Sequence, residues 1–480
     1  MSTTSPVPLP ENPNLDQLRK QARDLQRERQ QQGEQMTLSA SQRDIARRHG
    51  FASWRRLVRH LEVVARYTWT PDAESEGERS ADAFLRLACL TYMSEDSPDR
   101  RRRAREMLRA DPALADADVH VAAACADVAA LRTMLATDAS LARRAGGPYG
   151  WEPLMYLAYA RHDPHVSEAA VVESTRALLE HGGDPNAGAL WHGLPTPFTA
   201  LTGSFGEGEL GPVRQPRHAR SRALARVLLE AGADANDGQA LYNRMFEDDD
   251  DHLVLLFEFG LGTGDGGPWR ERLGATIDPP GEMVRGQLRW AAQHNQTARV
   301  RLLLDHEVDA VTPYDDGRSA IEIAAMAGNV DVVAVLEQSG LAIPTLEPDD
   351  AFVVAVLAGD REAARRADSA VIDRVRAARP GLLVWAAARG KRDAVTQLIE
   401  MGFDVDALGR SDVPREQPWE TALHSAVANG DRALVELLLR AGADPTVRDA
   451  RFDSRPLDWA RHFGHDDLVA LLTAITPETE

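Results

Sequence analysis

Residues 419–447 read WETALHSAVANGDRALVELLLRAGADPTV, and this stretch decides the fold. It predicts two short helices. Each helix has an apolar face at helical spacing, formed by Leu423, Ala426 and Val427 in the first and by Val435, Leu438 and Leu439 in the second. Asn429-Gly430 ends the first helix because glycine accepts a left-handed C-terminal conformation. Asp431 can cap the second helix, and Gly442 ends it. Two helices this short cannot bury their faces alone, so stacked copies are expected.

The same stretch resembles the ankyrin repeat. In that family a T-P-L-H-x-A helix is followed by a glycine turn, a leucine-rich helix and a G-A-D-x-N loop. Thr421-Ala-Leu-His424 and Gly442-Ala-Asp444 fall at the matching offsets. The resemblance implies an all-α ankyrin-repeat solenoid of roughly nine to eleven helix-turn-helix repeats with short finger loops. It also implies a non-enzymatic scaffold that binds a protein partner, whose identity the pattern leaves open.

Further copies of the G-A-D-type loop mark the repeats. They begin at Gly182, Gly232, Gly260, His306, Gly340, Gly402 and Gly442. The family repeat is about 33 residues long, so the wider gaps require insertions. These insertions fall at 203–218, 262–281 and 408–418, and loops of this length are usually functional or disordered. We therefore predict an array over residues 81–476, with degenerate repeats over 81–150.

Composition limits the classes of function. The chain has 480 residues and carries 74 acidic against 55 Lys and Arg residues, a net charge of −19. This charge favours solubility and argues against broad nucleic-acid affinity of the whole chain. Cys89 and Cys125 lie far apart, as expected for buried thiols in the reducing cytoplasm. The N-terminus lacks the pattern of a signal peptide, and no apolar run of about 18 residues predicts a membrane span.

The N-terminal part of the chain differs in charge from the rest. Residues 1–13 are polar and proline-rich, and we predict that they are disordered. Residues 14–66 predict a small three-helix module, in which Asn14 caps the first helix and Ser39 or Ser41 caps the second. This module has 12 Lys and Arg residues against 6 acidic residues, a net charge of +6. A polar linker is predicted at 67–80.

The basic module leaves two interpretations open. The segment DIARRHGFASWRRL loosely resembles a helix-turn-helix, in which basic side chains contact the phosphate backbone of a nucleic acid. The side chains that would do so are Arg47, Arg48, Arg55, Arg56 and Arg59. Alternatively, the module caps the acidic array, and its arginines form a solvated face. A nucleic-acid-associated adaptor is thus the alternative to a scaffold that binds protein alone.

Large aromatic residues recur at one position of the repeat. The resemblance implies that the x of the T-P-L-H-x-A helix faces a concave groove, where aromatic side chains favour partner binding. The partner-binding residues predicted at this position are Tyr156, Trp290, Trp385 and Trp459, joined in the loops by Trp191, Trp269 and Arg451. The alternative is that each ring only covers the neighbouring inner helix.

No pattern predicts a catalytic residue, a cofactor or a metal site. Residues 262–267 fit G-x-G-x-x-G, but they follow a predicted helix, and no helix is expected directly behind them. His462 and His465 precede two aspartates, yet His465 occupies the family's glycine-histidine turn. A third hypothesis places an enzyme site on the 203–218 or 262–281 insert. It requires a deep pocket there, with convergent polar groups and shifted pKa values.

Overall fold

The computed structural model describes residues 7, 9, 13–72, 79–410 and 418–476. Most of the predicted tail, residues 73–78 of the predicted linker and residues 411–417 of the 408–418 insert lie outside these described residues. The chain divides into two compact units, residues 1–287 and 288–480, called unit 1 and unit 2.

Unit 1 begins with three helices, α1 (Leu15–Gln31), α2 (Leu38–Arg48) and α3 (Trp54–Tyr67). Asn14 caps α1 as predicted, and its side chain accepts the Asp16 N–H at 2.8 Å. The cap of α2 is Thr37, which accepts the Ala40 N–H at 3.2 Å, so the prediction of Ser39 or Ser41 was wrong. The helices share a core of buried side chains formed by Leu18, Ala22, Ile45, Ala46, Leu57 and Leu61.

A small three-stranded sheet follows the first three helices. Its strands are β1 (Thr68–Trp69), β2 (Gly188–Trp191) and β3 (Pro197–Thr199). Strand β1 pairs in parallel with β2, and β2 pairs antiparallel with β3. Trp69 is 1% exposed, and its ring packs on Tyr149, Trp151, Tyr159 and Phe198. Strand β1 lies within the stretch predicted as a polar linker, and the sequence did not predict this sheet.

The remainder of unit 1 is helical. Its helices are α4 (Ser80–Ala88), α5 (Pro98–Ala110), α6 (Val119–Ala124), α7 (Val128–Thr137), α8 (Pro153–Tyr159), α9 (Glu168–Glu180), α10 (Ala200–Phe205), α11 (Gly211–Arg214), α12 (Ser221–Glu230), α13 (Gly238–Arg244), α14 (Asp251–Glu258) and α15 (Gly267–Leu273). Three short 3-10 helices lie at Pro112–Asp116, Ala139–Arg143 and Gly274–Thr276. Helix α6 packs on α8, α8 on α10 and α10 on α13, while α7, α9, α12 and α14 form a second row. Consecutive helix pairs therefore bury their apolar faces against one another.

Helix α16 (Pro280–Gln293) contains the boundary between the units. Unit 2 continues with α17 (Thr297–Asp305), α18 (Ala320–Met326), α19 (Val330–Gln338), α20 (Pro348–Ala358), α21 (Arg361–Arg365), α22 (Ser369–Ala378), α23 (Leu382–Ala388), α24 (Arg392–Glu400), α25 (Ala422–Ala428), α26 (Arg432–Arg440), α27 (Pro456–Phe463) and α28 (Asp466–Thr473). Helix α23 packs on α25 and α25 on α27, as stacked repeats require. The described chain is predominantly helical, and the predicted all-α class is confirmed.

The deciding stretch folds as its sequence predicts. Asp431 caps α26, and its carboxylate accepts the Leu434 N–H at 3.0 Å. Gly442 follows that helix with φ +97°, in the left-handed region that glycine favours. Among the described residues of the chain, no helix combines the length and apolar composition that a bilayer span requires.

His424 links two neighbouring repeats and gives unit 2 a pH dependence. Its ring is fully buried, and Nε2 lies 3.0 Å from the Ser454 carbonyl oxygen. A carbonyl only accepts, so Nε2 carries the proton and Nδ1 accepts the Thr421 hydroxyl at 2.8 Å. Burial lowers the pKa of His424 from its ordinary 6.5. Its contribution to stability is therefore complete above pH 6.5 and is lost as the pH falls from 6.5 through the folded-state pKa.

We accordingly expect the urea midpoint of the full chain to fall between about pH 7.5 and about pH 5.5, and to fall less in His424→Gln. Circular dichroism at both pH values measures the difference. Because the variant retains every other titrating group, an equal fall in both proteins would contradict the role of His424.

Candidate functional site

A cavity in unit 2 has a volume of about 980 Å³. We call it the groove. Its walls come from inner helices and from the loops that precede them. The lining side chains include Arg389, Trp419, Phe452, Trp459, His462 and Phe463. Trp459 and Phe463 lie four residues apart on α27. Residues i and i+4 share one helix face, so both side chains line the groove.

Aromatic rings form one wall of the groove. The rings of Trp419 and Trp459 are 5.4 Å apart, and Phe452 meets Trp419 edge-on at 5.7 Å. Phe463 packs on Trp459 at 6.0 Å. Phe452 is 60% exposed and Phe463 is 49% exposed. Two large apolar side chains thus face solvent at the groove, supported by the buried Trp459 ring and the half-buried Trp419 ring.

Asp449 holds this wall in place. The carboxylate is 2% exposed and accepts the indole N–H of Trp459 at 3.0 Å. It also accepts the backbone N–H groups of Arg451 at 2.9 Å, Phe452 at 2.5 Å and Ser454 at 3.2 Å. Burial acts to raise the pKa of Asp449, but these hydrogen bonds outweigh burial and lower that pKa. The charged carboxylate therefore fixes both the finger loop and the Trp459 ring.

The groove carries charges of both signs. The Arg389 guanidinium lies 3.2 Å from the centre of the Trp385 ring, a cation–π contact. Lys391 donates to the Gly328 carbonyl at 2.5 Å, and burial lowers its pKa. Glu420, which is 1% exposed, accepts the Ser425 hydroxyl at 3.1 Å. A ligand of the groove therefore meets apolar rings beside fixed charges.

The structure places three of the predicted partner-binding residues around the groove. Trp459 lines it directly. Trp385 lies beneath Arg389, and Trp290 stacks at 3.7 Å on His294, which also lines the groove. Both of these tryptophans are half-buried. They support groove-lining side chains, and the direct role in partner binding that the sequence predicted for them stays a prediction.

Arg451 joins the same surface. Its exposed guanidinium lies 5.6 Å from the Trp419 ring and 5.4 Å from the Phe452 ring. The sequence analysis did not select Phe463 as a site residue. Its position four residues after Trp459, on the same helix face, could have revealed it.

The other three predicted residues lie in unit 1. Tyr156 is fully buried, and its hydroxyl donates to the Gly146 carbonyl at 2.8 Å. Trp269 is 5% exposed, and its indole donates to the Asn186 carbonyl at 3.0 Å. Neither ring offers an exposed surface to a partner in this structure, because each completes a core. Trp191 is half-buried and lines a different cavity.

The basic side chains of the N-terminal helices form an open face. Arg47 and Arg48 lie on α2, and Arg55, Arg56 and Arg59 lie on α3; all five are exposed. Within the part of the chain that the structure describes, none of the five forms an ion pair. Their charges are therefore available to a polyanion.

The glycine-rich pattern at 262–267 requires a correction. Helix α15 begins at Gly267, directly behind it, although the sequence predicted no helix there. The element before it is helix α14, so the strand that the dinucleotide motif needs is still missing there. Among the described residues, no group of three His, Cys, Asp or Glu side chains is arranged to hold a metal ion.

Comparison with known families identifies two regions. Residues 353–449 and 383–478 match the family described as ankyrin repeats (3 copies). Residues 7–86 match a family described as glyoxalase superfamily protein. The first match covers the repeats around the groove, and the second covers α1–α3, β1 and most of α4.

Three curated relatives match parts of the chain. Palmitoyltransferase Hip14 of Drosophila melanogaster is 42% identical over 69 residues, which are 14% of this chain and 10% of that protein. L-asparaginase of Dirofilaria immitis is 28% identical over 188 residues, 38% of this chain and 30% of the relative. Cyclin-dependent kinase 4 inhibitor B of Bos taurus is 40% identical over 90 residues, 18% of this chain and 63% of the relative. The chain spans less than two thirds of the length of each of these relatives.

Proposed function

Because the chain is an ankyrin-repeat protein, with repeats matched over residues 353–478, we propose that it is a non-enzymatic scaffold that binds a protein partner in the groove of unit 2. One observation carries the proposal. Phe452 and Phe463 stay exposed at the groove, while Asp449 and Trp459 hold the wall behind them rigid. Exposed aromatic side chains on a rigid support are typical hot spots of protein interfaces.

The chemistry of the groove defines the partner segment. We expect a segment with a large apolar side chain that packs against Phe452 and Phe463. Arg389 and Glu420 favour polar groups on either side of that side chain, because both are held at the groove in fixed positions. The bovine relative is by name an inhibitor of a protein kinase. Because such an inhibitor acts on another protein, this similarity supports a protein as the partner of the groove.

Site-specific photo-cross-linking tests the groove. A photoreactive phenylalanine analogue at position 463 in the full chain is expected to cross-link a defined protein from the native lysate. The same analogue at Val311, which is 71% exposed in the loop between α17 and α18, is the matched control and should capture none of it. Adding Phe452→Ala to the position-463 protein should reduce the yield about tenfold, as loss of a hot-spot ring predicts. Equal capture from positions 463 and 311 would reject the groove as the binding site.

The basic face of α2 and α3 supports a second candidate function, nucleic-acid association. To distinguish this function from protein binding in the groove, one half of the same lysate is treated with nuclease before cross-linking and the other half is left untreated. Capture that needs intact nucleic acid and disappears with Arg47→Ala/Arg48→Ala would assign binding to the N-terminal helices. Capture that persists after nuclease treatment and in the arginine variant would assign binding to the groove.

We also place the protein in the cytoplasm. Both cysteines are free thiols, and burial raises the pKa of Cys89 and of Cys125 to about 12. Unpaired, protonated thiols are compatible with a reducing compartment.

A further inference from the structure

Unit 1 contains another cavity, with a volume of about 400 Å³, that shares no lining residue with the groove. Trp191 of β2, Phe198 of β3 and Tyr242 of α13 contribute aromatic walls. Tyr92 adds a fourth ring from the loop between α4 and α5. The 203–218 insert contributes Gln215, which is 3% exposed.

The loop that carries Tyr92 is fixed in place. Tyr92 has a positive φ of 58°, and its backbone N–H donates to the Asp96 carboxylate at 2.8 Å. Asp96 is 2% exposed and also accepts the Thr91 hydroxyl at 2.9 Å. Trp191 is held from the same loop, because its indole N–H donates to the Thr91 carbonyl at 3.0 Å. The cavity wall is therefore pre-organised.

Two buried polar groups in the cavity have no hydrogen-bond partner within 3.5 Å at the atoms that can donate. Asn243 is 2% exposed, and its Oδ1 accepts the Gln239 Nε2–H at 2.7 Å, but its Nδ2 has no partner within that distance. The same holds for the buried hydroxyl of Tyr92. Burial raises the pKa of Tyr92, while the charge of Arg161 and a longer hydrogen bond from the Asn243 amide act to lower it. Each group therefore keeps a proton that it can donate to an acceptor of a ligand.

The charge of the lining narrows the class of ligand. Among the described residues that line the cavity, the one ionisable acid is Glu209, and no lysine or arginine is present. The Tyr242 hydroxyl donates to Glu209. A phosphate or carboxylate would find no cation in the lining itself and would be repelled by Glu209. Arg214 lies behind the lining, where its guanidinium donates to the Ser94 carbonyl at 2.9 Å. The volume lies in the range of about 300–1,000 Å³ that small-molecule sites occupy.

We propose that this cavity binds an uncharged ring compound, up to the size of a nucleoside, that stacks against Trp191 and accepts hydrogen bonds from Asn243 and Tyr92. Nucleosides and sugars share this chemistry, because both combine a ring face with uncharged oxygen acceptors. The site is independent of the partner-binding groove.

Calorimetric titration of the full chain tests the site with uridine, glucose and uridine monophosphate, each to about 5 mM, a range that detects dissociation constants up to about 1 mM. Uridine, glucose or both are expected to bind, and the charged nucleotide is expected to bind at least about tenfold more weakly than uridine. The comparison of uridine with glucose tells whether the base or the sugar is recognised.

Two variants locate the binding. Tyr92→Phe keeps the ring and removes a hydroxyl that has no hydrogen-bond partner within 3.5 Å, so the protein should fold normally while affinity falls about fivefold to tenfold. Asn243→Leu should abolish binding. Tyr67→Phe is the matched control, because Tyr67 packs on Trp269 outside the cavity, and it should bind as the wild type does.

Three results would overturn the proposal. Absence of heat with both uridine and glucose would show that the cavity holds water only. Equal affinity for uridine and its monophosphate would reject an uncharged ligand. Unchanged affinity in folded Tyr92→Phe would place the ligand elsewhere. Loss of cross-linking at the groove leaves each of these measurements unaffected, so the two proposals fail separately.

Discussion

Replacing Arg244 with methionine is expected to lower the free energy of unfolding of unit 1 by about 3–5 kcal/mol. The Arg244 side chain is 1% exposed, and its guanidinium forms an ion pair with Glu207, whose side chain is 7% exposed. Its Nη2 also donates to the Asp249 carbonyl at 3.2 Å. Removing the cation leaves the Glu207 carboxylate buried without its charge partner, and that uncompensated charge is the source of the loss.

Two further variants test whether the loss comes from leaving a buried charge without its partner. Arg244→Met/Glu207→Leu removes both charges and is expected to recover most of the lost stability, because an apolar pair of similar volume often replaces a buried ion pair at little cost. Arg226→Met is the matched control. Arg226 pairs with Glu258 at 2.7 Å, but both side chains are about 40% exposed, and the expected loss is under about 1 kcal/mol.

Hydrogen exchange of the α10 and α13 amides in the full chain measures these differences within unit 1. Equal protection in Arg244→Met and Arg226→Met would contradict the argument. The result also bears on the 203–218 insert, since Glu207 lies in it and donates its backbone N–H to the Gln215 carbonyl at 2.8 Å.

Trp69→Ala is expected to cost unit 1 about 3–5 kcal/mol, the usual loss for a buried tryptophan. The side chain touches four other rings, the nearest being Trp151 with a centroid distance of 4.6 Å. Trp69→Phe should cost only about 1–2 kcal/mol, because a ring remains and the indole N–H has no hydrogen-bond partner among the described residues.

The control for Trp69 is Trp54→Ala. Trp54 is half-buried against the core of α1–α3, so its loss tests packing inside the N-terminal helices alone. Hydrogen exchange of the α8 amides should respond to Trp69→Ala and be nearly unchanged in Trp54→Ala. A loss below about 1 kcal/mol for Trp69→Ala would mean that residues 67–72 act as the polar linker that their composition predicts.

The elements that the sequence predicted are those whose determinants are local. Asp431, Gly442 and the apolar spacing between them specify α26 within a few residues, and the structure agrees. Sheet β1–β3 could not be found in the same way. A two-residue strand has no period, and the residue that pairs with Trp69 is Trp191, far along the chain.

The candidate sites show the same division. The aromatic repeat position selected Trp459, which lines the groove. The same position in unit 1 selected Tyr156, whose hydroxyl donates a hydrogen bond to the Gly146 carbonyl of the preceding loop. Whether such a ring is buried depends on the loop that folds over it, and the repeat pattern carries no information about that loop. The cavity at Trp191 depends equally on distant segments.

The pairing of β1 with β2 has a consequence for the order of events during synthesis. Trp69 leaves the ribosome long before Trp191, its partner in the sheet. At about 5–20 residues per second, the intervening segment takes roughly 6–24 s to be made. During that interval α1–α3 can form, and Tyr149, Trp151 and Tyr159 are made, but β2 and Phe198 of β3 are still missing from the cover of Trp69. A nascent chain halted before β2 would therefore leave the sheet side of this tryptophan open to chaperones, whereas the released chain would cover it.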